Sequence, residues 1–300
     1  MKPSSFGYSR PESVPQAIAE LAAAGPDAKV LAGGQSLVPL LSMRLATPSH
    51  LVDINRLGEL RYVRVGGGQV AVGALARHAD VLADRAANAA QPLLGQALAL
   101  VAHPVIRNRG TTVGSIVHAD PAGEMTAVLA LLGGSVRVAG PDGERSVPAA
   151  DFFLGPLESD VRPDEIAIEA LFPVLPERAG CAFAEVSRRH GDYALCGVGV
   201  LLRLDDAGLV GEAHAAYLSV AGTPLVVDLT EACAGAGQGG AGTAGGFAAA
   251  GRLAMARVKP SDDIHATAAY RRHLAGVLTE RALASALARA MQARASDGAP

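Results

Sequence analysis

The chain has 300 residues, half of them hydrophobic and 18% charged, with a formal net charge of −3, a balance that supplies a large core and excludes general disorder. Neither that charge nor the five Tyr, six Phe and absent Trp provides the basic stripe or stacking platform of a nucleic-acid binder. Cys181, Cys196 and Cys233 include no C-x-x-C pair, which argues against a disulfide framework, a structural zinc site or an iron–sulfur cluster on this chain.

In chain order, the first sixty residues read as a strand, a helix, a strand and a second helix. Ser13-Val14-Pro15-Gln16 has the S-x-x-Q spacing of a capping box ahead of a helix over 17–24, which Gly25-Pro26 ends. A short buried strand is predicted over 29–32, followed at once by Gly33-Gly34-Gln35-Ser36, with Ser36 as N-cap of a helix through Leu37-Val38-Pro39-Leu40-Leu41. Leu51-Val52-Asp53-Ile54 closes this unit as a third strand. Segments 62–65 and 69–72 read as a hairpin around Gly66-Gly67-Gly68, and helices are expected over 77–90 and 93–101. Asp120-Pro121 is the predicted start of an apolar helix over 125–132, Asp120 capping it. Strands are predicted over 136–138 and 166–172, a boundary at Pro173, Pro176 and Gly180, and further strands over 182–186, 198–204 and 214–220. Helices are predicted from Glu231 and over 263–294, with an Ala/Gly-rich linker or weak helical hairpin over 234–250.

Two stretches match a dinucleotide-binding pattern by letters only. Gly66-Gly67-Gly68-Gln69-Val70-Ala71 lacks the helix that should follow it, and Gly235-Ala236-Gly237-Gln238-Gly239-Gly240 lies in the low-complexity tract. Better placed is Ala32-Gly33-Gly34-Gln35-Ser36, between a strand and a helix, where paired glycines can turn successive amides toward an anion. An ordinary strand-to-helix turn is the competing reading. A second loop, Arg107-Asn108-Arg109-Gly110-Thr111-Thr112-Val113-Gly114-Ser115, offers hydroxyls and amides of the same kind, so that two loops could clamp one extended dinucleotide. His118 and Asp120 read as a packed His beside a capping Asp rather than a base and its orienter, and His78, His103 and His190 have no metal-ligand spacing. Ser36 lacks a G-x-S-x-G context and reads as a cap or phosphate ligand. The charges over 270–273 read as a solvated helix face or a subunit contact.

These motifs, with Met43-Arg44-Leu45, Ile106-Arg107-Asn108-Arg109-Gly110-Thr111, Gly114-Ser115, His118-Ala119-Asp120-Pro121, Arg188-Arg189-His190-Gly191-Asp192-Tyr193-Ala194, Asp263-Ile264-His265 and Tyr270-Arg271-Arg272-His273-Leu274, give the chain its likeness. It resembles the FAD-binding medium subunit of the xanthine dehydrogenase and aerobic carbon monoxide dehydrogenase family, the molybdenum hydroxylases. The resemblance implies an α+β chain: a PCMH-type FAD-binding domain over 1–175, built of two α/β subdomains at about 1–58 and 59–175, and a C-terminal domain over 176–300. The latter would hold a small antiparallel sheet and a helical bundle.

By the same resemblance FAD would be held by Leu31, Ala32, Gly33, Gly34, Gln35, Ser36 and Leu37 and by Val105, Gly110, Thr111, Gly114 and Ser115. Ala119, Asp120 and Glu124 would lie on the ribose and adenosine side, and Ala167, Tyr193 and the strand over 166–168 near the isoalloxazine. No catalytic side chain and no metal ligand is implied. Val113 stands where relatives have the first Gly of a pair: at positive φ it would be strained and displace the loop, whereas a packing role would leave the amides unchanged. The implied activity is electron exit, from [2Fe–2S] clusters of a small subunit through FAD to an external acceptor, after a large molybdopterin-binding subunit has oxidised the substrate. A dimer of heterotrimers, a cytoplasmic location, no membrane span and no nucleic acid complete the expectation. The alternatives are a stand-alone FAD-dependent oxidase or dehydrogenase and a non-catalytic scaffold that lost FAD.

Overall fold

A computed structural model describes residues 2–237 and 246–297. The predicted element over 234–250 and the second Gly-rich pattern therefore lie partly outside the described residues. The chain opens with β1 (Gly7–Ser9), α1 (Val14–Ala24), β2 (Lys29–Leu31), α2 (Leu37–Met43) and β3 (His50–Asp53), a parallel three-stranded sheet in the order β1-β3-β2. Ser13 caps α1 by accepting from the Gln16 amide at 3.3 Å, but the Gln16 side chain accepts from Glu12 rather than returning to Ser13. The predicted burial of β2 is not found. It is an edge strand, with Lys29 exposed and Val30 and Leu31 half-buried. Ser36 is also not the predicted side-chain cap, because its backbone is already helical at φ −99° and ψ −47° and its hydroxyl caps nothing.

The next unit begins with the hairpin β4 (Val63–Gly66) and β5 (Gln69–Gly73). Gly67 and Gly68 both take positive φ, 57° and 74°, as a two-residue primed turn requires. The helix predicted over 77–90 is two, α3 (His78–Ala83) and α4 (Arg85–Ala90), because Asp84 is extended and caps α4 through the Ala87 amide at 2.8 Å. After α5 (Pro92–Leu98), α6 (Pro104–Arg107) and α7 (Thr112–His118), α8 spans Glu124–Leu131. Asp120 does not cap it. Gly123 holds the N-cap position, while Asp120 closes its own turn by accepting from Ala122 at 2.8 Å.

There follow β6 (Ser135–Gly140), β7 (Gly143–Pro148), α9 (Ala149–Phe152), the short hairpin β8 (Phe153–Gly155) and β9 (Glu158–Ser159), and β10 (Ile166–Pro173). The five-stranded sheet, β4-β5-β10-β6-β7, is antiparallel throughout. The central strand β10 is almost wholly apolar, as burial on both faces demands. Its one charge, Glu169, accepts from Tyr62 at 2.6 Å and Arg137 at 3.0 Å.

The last third forms the antiparallel sheet β11 (Ala179–Ser187), β12 (Ala194–Leu204), β13 (Val210–Leu218) and β14 (Leu225–Asp228), then α10 (Thr230–Cys233), α11 (Ala248–Arg257) and the long α12 (Ala268–Asp297). α12 crosses one face of β11 and β12 and carries α11 on its outer side. Tyr217, fully buried, is joined to Thr279 of α12 at 2.7 Å. The other face meets α5 and α8, where Gln96 accepts from the Phe183 amide at 3.1 Å and from Arg289 at 3.0 Å. Of residues 270–273, read as a solvated face or subunit contact, Tyr270, Arg272 and His273 are exposed and Arg271 is not. It is buried, donating to the carbonyls of Leu195 at 2.6 Å and Ser219 at 3.0 Å and to Asp263 at 2.6 Å. Cys181, Cys196 and Cys233 are all buried and unpaired.

Candidate functional site

A cleft of about 770 Å³ runs between the two candidate loops, the segment 157–167 and the turn 191–193 that joins β11 to β12. Its floor is backbone. The amides of Gly33, Gly34, Gln35 and Ser36 meet no acceptor among the described residues, and Gly34 at φ 74° turns the chain so that consecutive N–H groups can converge. Gly33 lets the two loops touch: a Cβ there would stand 2.5 Å from the Arg109 oxygen and 2.8 Å from the Gly110 Cα.

The second loop enters α7 through Thr111, whose buried hydroxyl accepts from the Gly114 amide at 3.1 Å. Val113 is in the first turn of α7, buried, and absent from the positive-φ residues, so the strain anticipated there does not arise. His78 backs this loop. Its amide donates to the Gly110 carbonyl at 2.9 Å and its Nδ1 lies 3.2 Å from Thr112 Oγ1. Burial, with Arg107 nearby, pushes its pKa down to about 4, and it is neutral at pH 7.

The far end of the cleft is acidic. Glu124 opens α8 there, and burial together with Asp120 pushes its carboxyl up to about 7. Behind it Glu185 of β11 has a buried Oε2 without a hydrogen-bond partner, and burial, then the Glu124 charge, raises it to about 8. Tyr193 is exposed at the mouth, its phenol raised by desolvation and then by Asp120 and Glu124. The 157–165 wall is fixed by Leu157, which donates to the Ala119 carbonyl at 3.0 Å, and by Arg145, which bonds Glu165 at 2.8 and 2.7 Å and Asp160 at 2.6 Å. The Arg145 hydrogen bonds, foremost, hold the Glu165 pKa below the usual carboxylate range.

Every residue expected at the site lines the cleft except Val105 and Ala119. Val105 is exposed on α6, and Ala119 is buried at the end of α7 with its carbonyl turned to Leu157. Ile166 joins Ala167 in the lining, but Ile168 does not. His118 also reaches the cleft, while Asp120 is occupied by Ala122 rather than by the imidazole. Sequence reasoning missed Lys29, His78 and the stretch Leu157, Glu158, Ser159, Val161, Arg162, Pro163 and Glu165. That stretch has no Gly-rich signature, and the one available signal was Pro163-Asp164-Glu165 just ahead of an apolar strand.

Free amides in a row favour a bound anion, and an extended cleft with carboxylates at the opposite end favours a ligand that carries hydroxyls beyond that anion. The volume falls in the range of about 300–1,000 Å³ usual for cofactor pockets. Residues 4–175 match the family described as the FAD binding domain in molybdopterin dehydrogenase, and residues 181–286 match the CO dehydrogenase flavoprotein C-terminal domain. The chain is 39% identical to the 6-hydroxypseudooxynicotine dehydrogenase complex subunit alpha of Paenarthrobacter nicotinovorans, covering 99% of each. It is 37% identical to the carbon monoxide dehydrogenase medium chain of Hydrogenophaga pseudoflava, over 96% of this chain and 99% of the relative. Among solved structures, a carbon monoxide dehydrogenase from Hydrogenophaga pseudoflava superposes with a TM-score of 0.89 at 37% identity, covering 96% of this chain and 99% of that one. Quinoline 2-oxidoreductase from Pseudomonas putida 86 gives 0.90 at 35% identity, covering 97% and 100%.

Proposed function

The chain belongs to the family of FAD-binding subunits of molybdopterin dehydrogenases, and on that premise we propose that the cleft between the 33–36 and 107–115 loops is where it holds FAD. It is an oxidoreductase subunit that acts in a multi-subunit complex with large and small partners. The observation that carries the site reading is the row of amides at Gly33, Gly34, Gln35 and Ser36, free of any acceptor among the described residues and seated on the second loop through Gly33. A diphosphate supplies what they lack. FAD brings the chemistry, since a flavin accepts and releases electrons singly or in pairs.

The protein's residues bind, orient and shield. Gly33 to Ser36 and the Thr111–Ser115 turn hold the diphosphate, Asp120 and Glu124 accept from hydroxyls of the bound molecule, and Ala167 and Tyr193 flank its ring. We place the boundary between this domain and a C-terminal docking domain at 175/176, a reading supported by the turn between the end of β10 at Pro173 and the start of β11 at Ala179. Its three thiols are buried and dispersed, and among the described residues no group of three or more His, Cys, Asp or Glu is placed to hold a metal ion. We further propose that electrons enter from [2Fe–2S] clusters of a small subunit, after substrate oxidation on a large molybdopterin-binding subunit, in a cytoplasmic dimer of heterotrimers. Among the described residues no helix is long and apolar enough to cross a membrane.

The test is purification of the chain followed by visible spectroscopy and mass identification of the released cofactor. Flavin absorbance and FAD are expected, with a molybdenum subunit and an iron–sulfur subunit co-purifying from the native source. A chain that stays colourless after incubation with FAD overturns the reading.

A further inference from the structure

Outside the cleft, a chain of side chains ties its two loops together. Asn55 follows β3 and is locked by Asp53, whose Oδ1 accepts from the Asn55 amide at 2.9 Å and from its Nδ2 at 2.6 Å. Asp53 is held in turn by Tyr8 OH at 2.6 Å, with Arg10 Nε 3.7 Å away. So fixed, Asn55 Nδ2 donates to the Ala32 carbonyl at 2.8 Å. Its Oδ1 accepts from Arg77 Nη2 at 2.7 Å, and Arg77 Nη1 donates to the Arg109 carbonyl at 2.8 Å.

The two carbonyls reached are the informative part. Ala32 C=O and Gly33 N–H belong to one planar trans peptide and point in opposite directions, so anchoring the oxygen on the Asn55 side aims the first free amide the other way. Arg109 O is the very atom against which Gly33 packs. Neither Asn55 nor Arg77 lines the cleft. The guanidinium is half-buried beside Arg109 and Arg61, an unfavourable placement that Asp80 and Asp53 only partly offset. A lysine there would keep the charge but lose the fork that spans two acceptors.

We propose that Asn55 and Arg77 are positioning residues for the diphosphate of the bound cofactor, setting the 33–36 amides in register with the 107–111 loop. The proposal rests on the FAD reading above, which fails separately if the wild-type chain binds no FAD.

The experiment titrates the full-length apo chain with FAD, ADP and riboflavin for wild type, Asn55→Ala, Arg77→Ala and Arg77→Lys, and records the thermal midpoint of each apo chain. The expected result is a roughly tenfold or larger rise in Kd for FAD and ADP in all three variants, from loss of the neutral Asn55–Ala32 bond, of one or both of the charge-assisted Arg77 bonds, or of their geometry. Riboflavin, which has no phosphate, is expected to bind with unchanged affinity, and Arg77→Lys is expected not to rescue. Wild-type FAD and ADP affinity in Asn55→Ala or Arg77→Lys overturns the proposal. So does an equal loss for all three ligands together with a lowered apo midpoint, the pattern of a bridge that serves folding alone.

Discussion

At Gly33 the side chain is absent because another loop occupies its place. Gly33→Ala would drive a methyl into the Arg109 carbonyl and the Gly110 backbone, which cannot withdraw as a flexible side chain could. Separation of the loops should weaken FAD binding by about tenfold or more while leaving the rest of the fold intact, read by flavin fluorescence titration beside circular dichroism. Val113 gives the opposite lesson. The resemblance left two outcomes open there, a strained loop at positive φ or a packing role, and the residue is helical and buried. Val113→Gly is expected to lose about 2 kcal/mol or more of stability, through helix propensity and lost burial, with no gain in FAD affinity. A urea unfolding curve paired with a titration checks both. The Gly-rich loops stood out as possible anion cradles because paired glycines can turn successive amides to one side, with an ordinary strand-to-helix turn as the competing reading. The 157–165 wall did not, because its residues line the cleft through a short hairpin held by Arg145 and Leu157, contacts between parts of the chain that no local pattern announces.

Two elements from different halves of the chain, α8 and β11, bring Glu124 and Glu185 together without a counter-charge. Both pKa values are raised, to about 7 and about 8, above the value of about 4.3 for an unfolded Glu. Between those limits the native state binds more protons than the unfolded one, so stability falls as pH rises from about 5 to 8. Glu185→Gln removes the charge and should flatten that slope, raising stability at pH 8 by about 1 kcal/mol or more. Chemical denaturation at several pH values decides it, and an unchanged slope in the variant would sink the assignment. Element types were largely readable from apolar periodicity and turn residues, the Gly67–Gly68 hairpin most clearly. Their ends were less so: Ser36 and Asp120 have the composition of caps, but the backbone was already helical at one and the helix began later than the other. β7 and β14 lie at sheet edges and escaped sequence analysis, β7 because it carries little apolar pattern and β14 because its Leu225-Val226-Val227 run is too short to show a period.

Across the whole molecule the two halves share their packing, since Cys181, Ala194, Ala216 and Leu218 of the C-terminal sheet belong to the same apolar cluster as the N-terminal core. Unfolding should therefore be a single transition, with calorimetric and spectroscopic midpoints coincident. Gln96→Ala leaves the Phe183 amide without its acceptor and is expected to cost about 1–3 kcal/mol, visible as a lower calorimetric midpoint. The α+β architecture was an implication of the family resemblance rather than of any local pattern, whereas the shared core could not be read, because it depends on how one sheet is laid against helices far away in sequence. The cysteines acquire a further meaning in that setting. A flavin open to solvent can pass electrons to oxygen, and the resulting peroxide is attacked first by thiolates, each becoming a sulfenate as the O–O bond breaks. Burial holds Cys181 up to about 11 and Cys196 and Cys233 up to about 12, so each thiol stays protonated and out of reach. Peroxide treatment is therefore expected to leave all three thiols free of sulfenate by mass spectrometry, with sulfur oxidation falling instead on the exposed Met43 and Met255.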